Sequence, residues 1–154
     1  MKVYLLEREQ VVRAPAERVF EFFSNAENLA AITPGFVGFE ILSPTPIEMC
    51  EGALIEYRLR LAGVPLRWRT RVTSWEPDHA FVDVQESGPY ALWEHSHGFE
   101  PTPNGIRVTD RVRYALPFGP LGRLAGFWVH PTLARIFEFR SAAIGRLLEG
   151  SEAT

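Results

Sequence analysis

The chain reads as an α+β domain: a seven-stranded bent antiparallel sheet folded around one long C-terminal helix, with two short helices after the first strand. Three observations predict this class. Apolar residues recur with a period of two through most of residues 53–116. The strand-like stretches in that region are joined by short turns rich in Gly, Pro, Asp and Asn, which connect antiparallel neighbours. After residue 117 the spacing becomes helical, and no other element is long enough to cover the apolar face of such a sheet.

Val3 to Arg13 is rich in β-formers and lacks Gly and Pro, so it is the first strand. Ala14-Pro15 ends it, and Pro15 suits a first helical turn because its missing N–H would have no partner there. Val19, Phe20 and Phe23 then recur at helical spacing. Ser24-Asn25 breaks this helix, and Asn25 caps a second short one carrying Leu29, Ala30 and Ile32. Thr33-Pro34-Gly35 stops helix formation. Phe36 to Leu42 reads as a strand closed by Ser43-Pro44-Thr45-Pro46.

Ala53 to Leu61 alternates, with Ile55, Tyr57, Leu59 and Leu61 on one face and Glu56, Arg58 and Arg60 on the other. Ala62-Gly63-Val64-Pro65 is a hairpin connection. Its partner strand places Leu66, Trp68, Thr70 and Val72 opposite Arg67, Arg69 and Arg71. Trp75-Glu76-Pro77-Asp78 turns the chain. Phe81–Glu86, Ala91–Glu100 and Ile106–Leu116 are the last three strands, separated by turns at Ser87-Gly88-Pro89 and Pro101–Gly105. Pro117 to Gly122 reads as a loop. Pro131 predicts a short helical piece before it and a long helix starting near it. Leu133, Ile136, Phe137, Ile144, Leu147 and Leu148 form the apolar stripe of that helix. Residues 1–150 read as one domain, and Ser151 to Thr154 as a polar tail.

Composition narrows the function classes. A formal net charge of -3 argues against a nucleic-acid partner, which needs a basic surface. The single cysteine, Cys50, has no second thiol for a disulfide or a metal pair, so a reducing cytoplasmic setting is the default. The apolar run Val3–Leu6 is too short for a signal-peptide core, and no transmembrane segment is present. Rows of arginine, Arg67/Arg69/Arg71 and Arg107/Arg111/Arg113, are expected on the solvated sheet face, paired across strands with Glu56, Glu86 and Glu94.

Polar groups on a face that should be greasy are the informative feature. The inner face carries Tyr57, Trp68, Thr70, Trp93, Phe99, Val108, Val112 and Tyr114. The same parity adds His95, His97 and Asp110. Asp83 and Gln85 join them with Phe81, although Val82 and Val84 leave that strand's parity open. Burying such groups without partners costs roughly 1–3 kcal/mol each. They either satisfy one another, with His95 or His97 donating to Asp110 and Gln85 reaching a histidine, or they orient a ligand in an apolar cavity. The expected cavity set is Tyr57, Trp68, Thr70, Gln85, Trp93, His95, His97, Asp110, Tyr114 and Phe137. A His–Asp pair can also act as general base or acid, so His95, His97 and Asp110 are the catalytic candidates. His95, His97 and Asp110 lack a diagnostic metal spacing and a fourth ligand, and no metal or cofactor is expected.

Several segments resemble the START/Bet v 1-like superfamily, in its bacterial ligand-binding SRPBCC branch of polyketide cyclase-like proteins. They are Ala14–Phe23, Asn28–Pro34, Trp75-Glu76-Pro77, Gly88–Phe99 and Thr109–Val112. The resemblance covers nearly the whole chain and implies the helix-grip fold. It implies three function classes: binding of a hydrophobic small molecule (lipid, isoprenoid or polyketide-like), a cyclase, dehydratase or isomerase using His95 or His97 with Asp110, or a protein-interaction module. Residues 119–129 are Gly-rich and apolar. They read as a lid over the cavity mouth, with transient membrane contact or a homodimer patch as the other readings.

Overall fold

The computed structural model describes residues 1–61 and 63–149. The expected polar tail, Ser151–Thr154, and the domain's last residue, Gly150, lie outside the described residues, as does Ala62 of the expected hairpin connection.

Strand β1 spans Tyr4–Val12 and helix α1 spans Ala16–Phe23. Two 3-10 helices follow at Ala26–Ile32 and Gly35–Val37. Strands β2 (Glu40–Ile41), β3 (Leu54–Leu61), β4 (Val64–Glu76), β5 (Ala80–Ser87), β6 (Leu92–Thr102) and β7 (Gly105–Ala115) come next, and helix α2 occupies Gly119–Glu149. The seven strands form one antiparallel sheet in the order β1-β7-β6-β5-β4-β3-β2. This is the expected helix-grip arrangement. Only the β1–β7 pairing joins distant parts of the chain, with Tyr4 opposite Tyr114 and Val12 opposite Ile106. Register shifts in β4 at Arg69/Thr70 and Val72/Ser74 let the long strand bend.

The structure decides the parity of β1 and of β5, the strand whose parity Val82 and Val84 left open. In β1 the outward residues alternate with Tyr4, Leu6, Arg8, Gln10 and Val12, of which Val12 is fully buried. In β5, Phe81 is buried and Asp83 shares its face. The outer face is a lattice of ion pairs. Arg69 bonds Glu56 at 2.8 Å, Arg71 bonds Glu86, Arg113 bonds Glu94 at 3.2 Å and Arg107 bonds Glu100 at 3.1 Å. These pairs are exposed and contribute little stability each, but they keep the sheet's outer face solvated.

Four expectations need correction. Phe36–Leu42 is not a strand throughout: only Glu40 and Ile41 pair with β3. The 3-10 turn before them buries Val37 and ends at Gly38, whose φ of 61° suits glycine and redirects the chain. The hairpin between β3 and β4 is tighter than expected, because Val64 already pairs with Leu61. The long helix starts at Gly119, twelve residues earlier than Pro131, and is continuous for 31 residues. Pro120 sits in its first turn, where proline is tolerated. Pro131 lies inside the helix on an exposed face. Phe127, whose carbonyl it leaves unpaired, is exposed too, so solvent can supply the missing bond. Finally, Leu147 is partly exposed, and Arg140 takes the buried place on the stripe between Phe137 and Ile144.

The interior has two apolar clusters. One joins α1 to the C-terminal half of α2 through Val12, Val19, Phe20, Phe23, Phe99, Ile144 and Leu148. The other joins the sheet's opposite end to the middle of α2 through Leu59, Trp68, Trp93, Val112, Leu133 and Phe137. Gln10 donates to the carbonyl of Ser141 at 3.0 Å and ties β1 to the helix. Ile144 is 0% exposed and does not line the cavity under α2. Replacing Ile144 with Ala should cost about 2–5 kcal/mol, read as a lower urea midpoint with an unchanged slope.

Candidate functional site

A cavity of about 180 Å³ lies under α2, bounded by strands β3 to β6, α1 and the first 3-10 helix. Its walls are mainly apolar: Phe22, Phe23, Leu29, Ile32, Val37, Ile55, Leu59, Val72, Phe81, Leu133 and Phe137 all contribute. Aromatic rings brace one another along one side. Trp68 stacks on Tyr57 at 5.7 Å and meets Trp93 edge-on at 5.2 Å.

The polar groups cluster where β5, β6 and β7 meet the helix. Residues two apart on a strand share a face, so β6 presents His95 and His97 inward between Trp93 and Phe99. Their rings stack at 3.7 Å, and His97 stacks on Phe81 at 4.0 Å. His95 Nε2 lies 2.7 Å from Asp110 Oδ1 on β7, and His97 Nε2 lies 2.6 Å from Asp83 Oδ2 on β5. Arg140 donates to Asp110 Oδ1 from α2 at 3.3 Å, so the helix closes the network. A carboxylate only accepts, so each imidazole presents its Nε2–H to its partner. His95 Nδ1 then remains for the cavity. It accepts when the ring is neutral and donates when it is protonated. His97 Nδ1, Trp68 Nε1 and Arg140 Nε are buried without a hydrogen-bond partner among the described residues, and all three residues stand in the cavity wall.

Burial sets the electrostatics. Desolvation, helped by the neighbouring His95, pushes the His97 imidazole down to about 4 against the opposing pull of Asp83 and Asp110. For Asp110, burial would raise the carboxyl, but Arg140 and the bonded His95 outweigh it and hold it well below the usual range. Asp83 is lowered in the same way, with its bond to His97 the largest opposing influence. Burial pushes the Tyr57 and Tyr90 phenols up, so both stay protonated donors.

Of the ten expected cavity residues, Tyr57, Trp68, Thr70, Trp93, His95, His97 and Phe137 stand in the wall. Three do not. Asp110 lies behind His95, held by that ring and by Arg140. Gln85 does not reach either histidine. Its amide donates to the carbonyl of Tyr90 at 2.8 Å and accepts from the N–H of Tyr90 at 3.0 Å, satisfying backbone groups just beyond the Gly88-Pro89 turn. Tyr114 turns toward α2 and pairs with His130 Nδ1 at 2.6 Å. Sequence reasoning missed Arg140 and Tyr90, and reached Asp83 only through an ambiguous strand. Arg140 had a usable signal, because it lies seven residues after Leu133 and four before Ile144 on the buried stripe.

Donor atoms of Asp83, His95 and His97 lie within 4.8 Å of one another. Coordination needs both imidazole lone pairs, which lie in the ring planes, to meet about 2.0–2.1 Å from each nitrogen. Rings stacked at 3.7 Å with a 24° interplanar angle have planes that meet much farther away. In this structure the trio forms two hydrogen-bonded pairs, His95 with Asp110 behind it and His97 with Asp83.

A family model described as polyketide cyclase / dehydrase and lipid transport matches residues 12–138. No curated protein matches the chain in sequence. Among solved structures, the ZhuI aromatase/cyclase from a Streptomyces species is similar at 16% identity and a TM-score of 0.77, with 96% of this chain and 94% of that one covered. The protein TTHA0849 from Thermus thermophilus is similar at 17% identity and a TM-score of 0.76, covering 96% and 99%. A START superfamily protein from Mycobacterium smegmatis gives 14% identity and a TM-score of 0.68, covering 95% and 97%. These likenesses establish the fold. None of the described helices is long and apolar enough to cross a membrane.

The buried pairs predict an acid-sensitive fold. Between the ordinary histidine value of 6.5 and about 4, the unfolded chain binds a proton at His97 that the folded chain refuses. Stability therefore rises with pH across that window and is lost as pH falls. Asp110 and Asp83 extend the loss below their ordinary value of 3.8, because both carboxyls are lowered in the folded state. The urea-unfolding free energy should be flat from about pH 6.5 up to the ordinary tyrosine range and fall by about 3 kcal/mol toward pH 4. Replacing His97 with Phe should flatten that upper window.

Proposed function

The chain belongs to the polyketide cyclase / dehydrase and lipid transport family, and from that premise we propose that it binds a hydrophobic small molecule carrying a carbonyl or hydroxyl group in the cavity under α2. The observation that carries this reading is the contrast within one cavity. Largely apolar and aromatic walls surround a buried charged and imidazole patch made of Asp83, His95, His97 and Arg140, with Asp110 behind His95. Such a patch orients a ligand by its few polar atoms while the walls supply affinity. The unpartnered Trp68 Nε1 and Arg140 Nε offer donors to a ligand oxygen, and His95 Nδ1 offers either role.

Size refines the ligand. Space of this order holds roughly one aromatic ring. A second apolar cavity of about 270 Å³ adjoins it, and Tyr90, Leu133 and Ile136 line both. A lipid, isoprenoid or polyketide-like chain fits by displacing the Tyr90 side chain and joining the two spaces.

A second reading is favoured by one feature. His95 is backed by a carboxylate and has its other nitrogen left for the cavity, which is the arrangement of a general acid–base. ZhuI, an aromatase/cyclase, shares the fold. On this reading the protein is a cyclase or dehydratase that moves a proton through His95 Nδ1, with Asp110 positioning the ring.

Native mass spectrometry of protein purified without detergent should reveal a bound apolar ligand. In titrations, Nile red reports the walls and a hydroxynaphthoquinone reports the polar patch. Replacing His95 with Phe should weaken the quinone by about tenfold or more and leave Nile red unchanged. Equal affinity of wild type and variant for the quinone would sink the orienting role. Turnover of a poly-β-carbonyl substrate that disappears in the same variant would select the enzyme reading.

A further inference from the structure

We propose that the first half of α2 is a docking surface for an anionic lipid bilayer. A helix that is apolar all round is normally covered all round. Residues 119–130 break this rule. Gly122, Gly126 and Val129 face the protein, Leu121 and Trp128 flank the second apolar cavity with much of their surface exposed, and Leu124 and Phe127 point to solvent. Phe127 is 83% exposed, and Phe118, just before the helix, is 82% exposed. Phe118 also adopts a φ of 68°, a conformation that bulky residues avoid, and it holds the ring outward at the helix entrance. This is a contiguous apolar patch of the kind that marks an interaction site.

Charge names the occupant. No Asp or Glu occurs from residue 116 to residue 137, while the exposed Arg123 and Arg135 do. Lys2 and Arg123 line a surface hollow beside Phe118. Arg123 is exposed and has no carboxylate partner among the described residues. The positive end of the α2 dipole lies at the same place. A chain with net charge -3 thus places Lys2 and Arg123 beside its exposed apolar rings. Aromatic and leucine side chains rimmed by arginine and lysine match the acyl boundary and headgroups of an anionic membrane. The second apolar cavity lies under the same segment, between it and the Leu116-Pro117 loop, so the docked face stands over an apolar space. This surface does not depend on what the main cavity holds.

Co-sedimentation with vesicles tests the surface. The wild type should bind phosphatidylcholine vesicles containing phosphatidylglycerol, bind phosphatidylcholine alone more weakly, and lose affinity as salt rises. The exposed double variant L124E/F127E should bind at least about tenfold more weakly with unchanged circular dichroism. R123E alone should weaken binding only to the anionic vesicles. The proposal is overturned if the wild type ignores vesicles, if L124E/F127E binds as the wild type does, or if the wild type is a dimer that this variant converts to monomer.

Discussion

A sheet with one apolar face must bury it, and the described residues supply a single long helix with which to do so. Seven strands at about 4.8 Å spacing span roughly 29 Å. A helix with its side chains is about 10–12 Å across. Helix α2 therefore cannot touch every strand, and the sheet must curve or leave space. It does both. The register shifts in β4 bend the far strands inward, and α1 with its 3-10 neighbour fills one end. What remains between α2 and strands β3 to β6 is the cavity. It is a consequence of covering a wide sheet with one helix, and the side chains around it decide how it can be used.

Those side chains include an expensive set. Ions removed from water cost several kcal/mol each unless they are well paired. Here the cost is offset locally. Asp83 and Asp110 each hold an imidazole, and Asp110 also holds the Arg140 guanidinium. The two rings are stacked too closely for both to be charged without a penalty. The cluster spans β5, β6, β7 and α2, so it pins the helix over the sheet at the place where the apolar clusters part. A polar group on a strand becomes a polar patch in a cavity only because the helix supplies its cation there.

The two halves of α2 meet different surroundings. From Leu133 onward its buried face is the stripe that closes the core, and its outer face sets Arg135, Glu138 and Arg146 beside the partly exposed Phe139 and Leu147. Before Pro131 the helix is apolar on both sides and only one side is covered. The Tyr114–His130 bond and the ring contact of His130 with Tyr4 at 4.3 Å fasten the junction to the strand edge. The protein thus carries its internal cavity and its most exposed apolar surface on one continuous element.

The sequence by itself determined the sheet's alternation, the inward place of Tyr57, Trp68, Trp93, His95, His97 and Asp110, the outward arginine ladder and the presence of a long closing helix. Each follows from a local rule, the period of two in a strand or of 3.6 in a helix, which no distant contact needs to supply. Tertiary structure alone decided the rest. The parity of β5, and with it Asp83, depended on which face the neighbouring strands had already committed to the core. Gln85 went to the Tyr90 backbone because those groups had no ladder partner, a debt visible only once the turn is built. Tyr114 and Asp110 share a face with the cavity residues yet miss its wall, because α2 covers them. The spacing of Arg140 from Leu133 and Ile144 marks it as inward-facing, but only the fold shows it as the buried cation of the site, because Asp110, thirty residues earlier, waits beneath it.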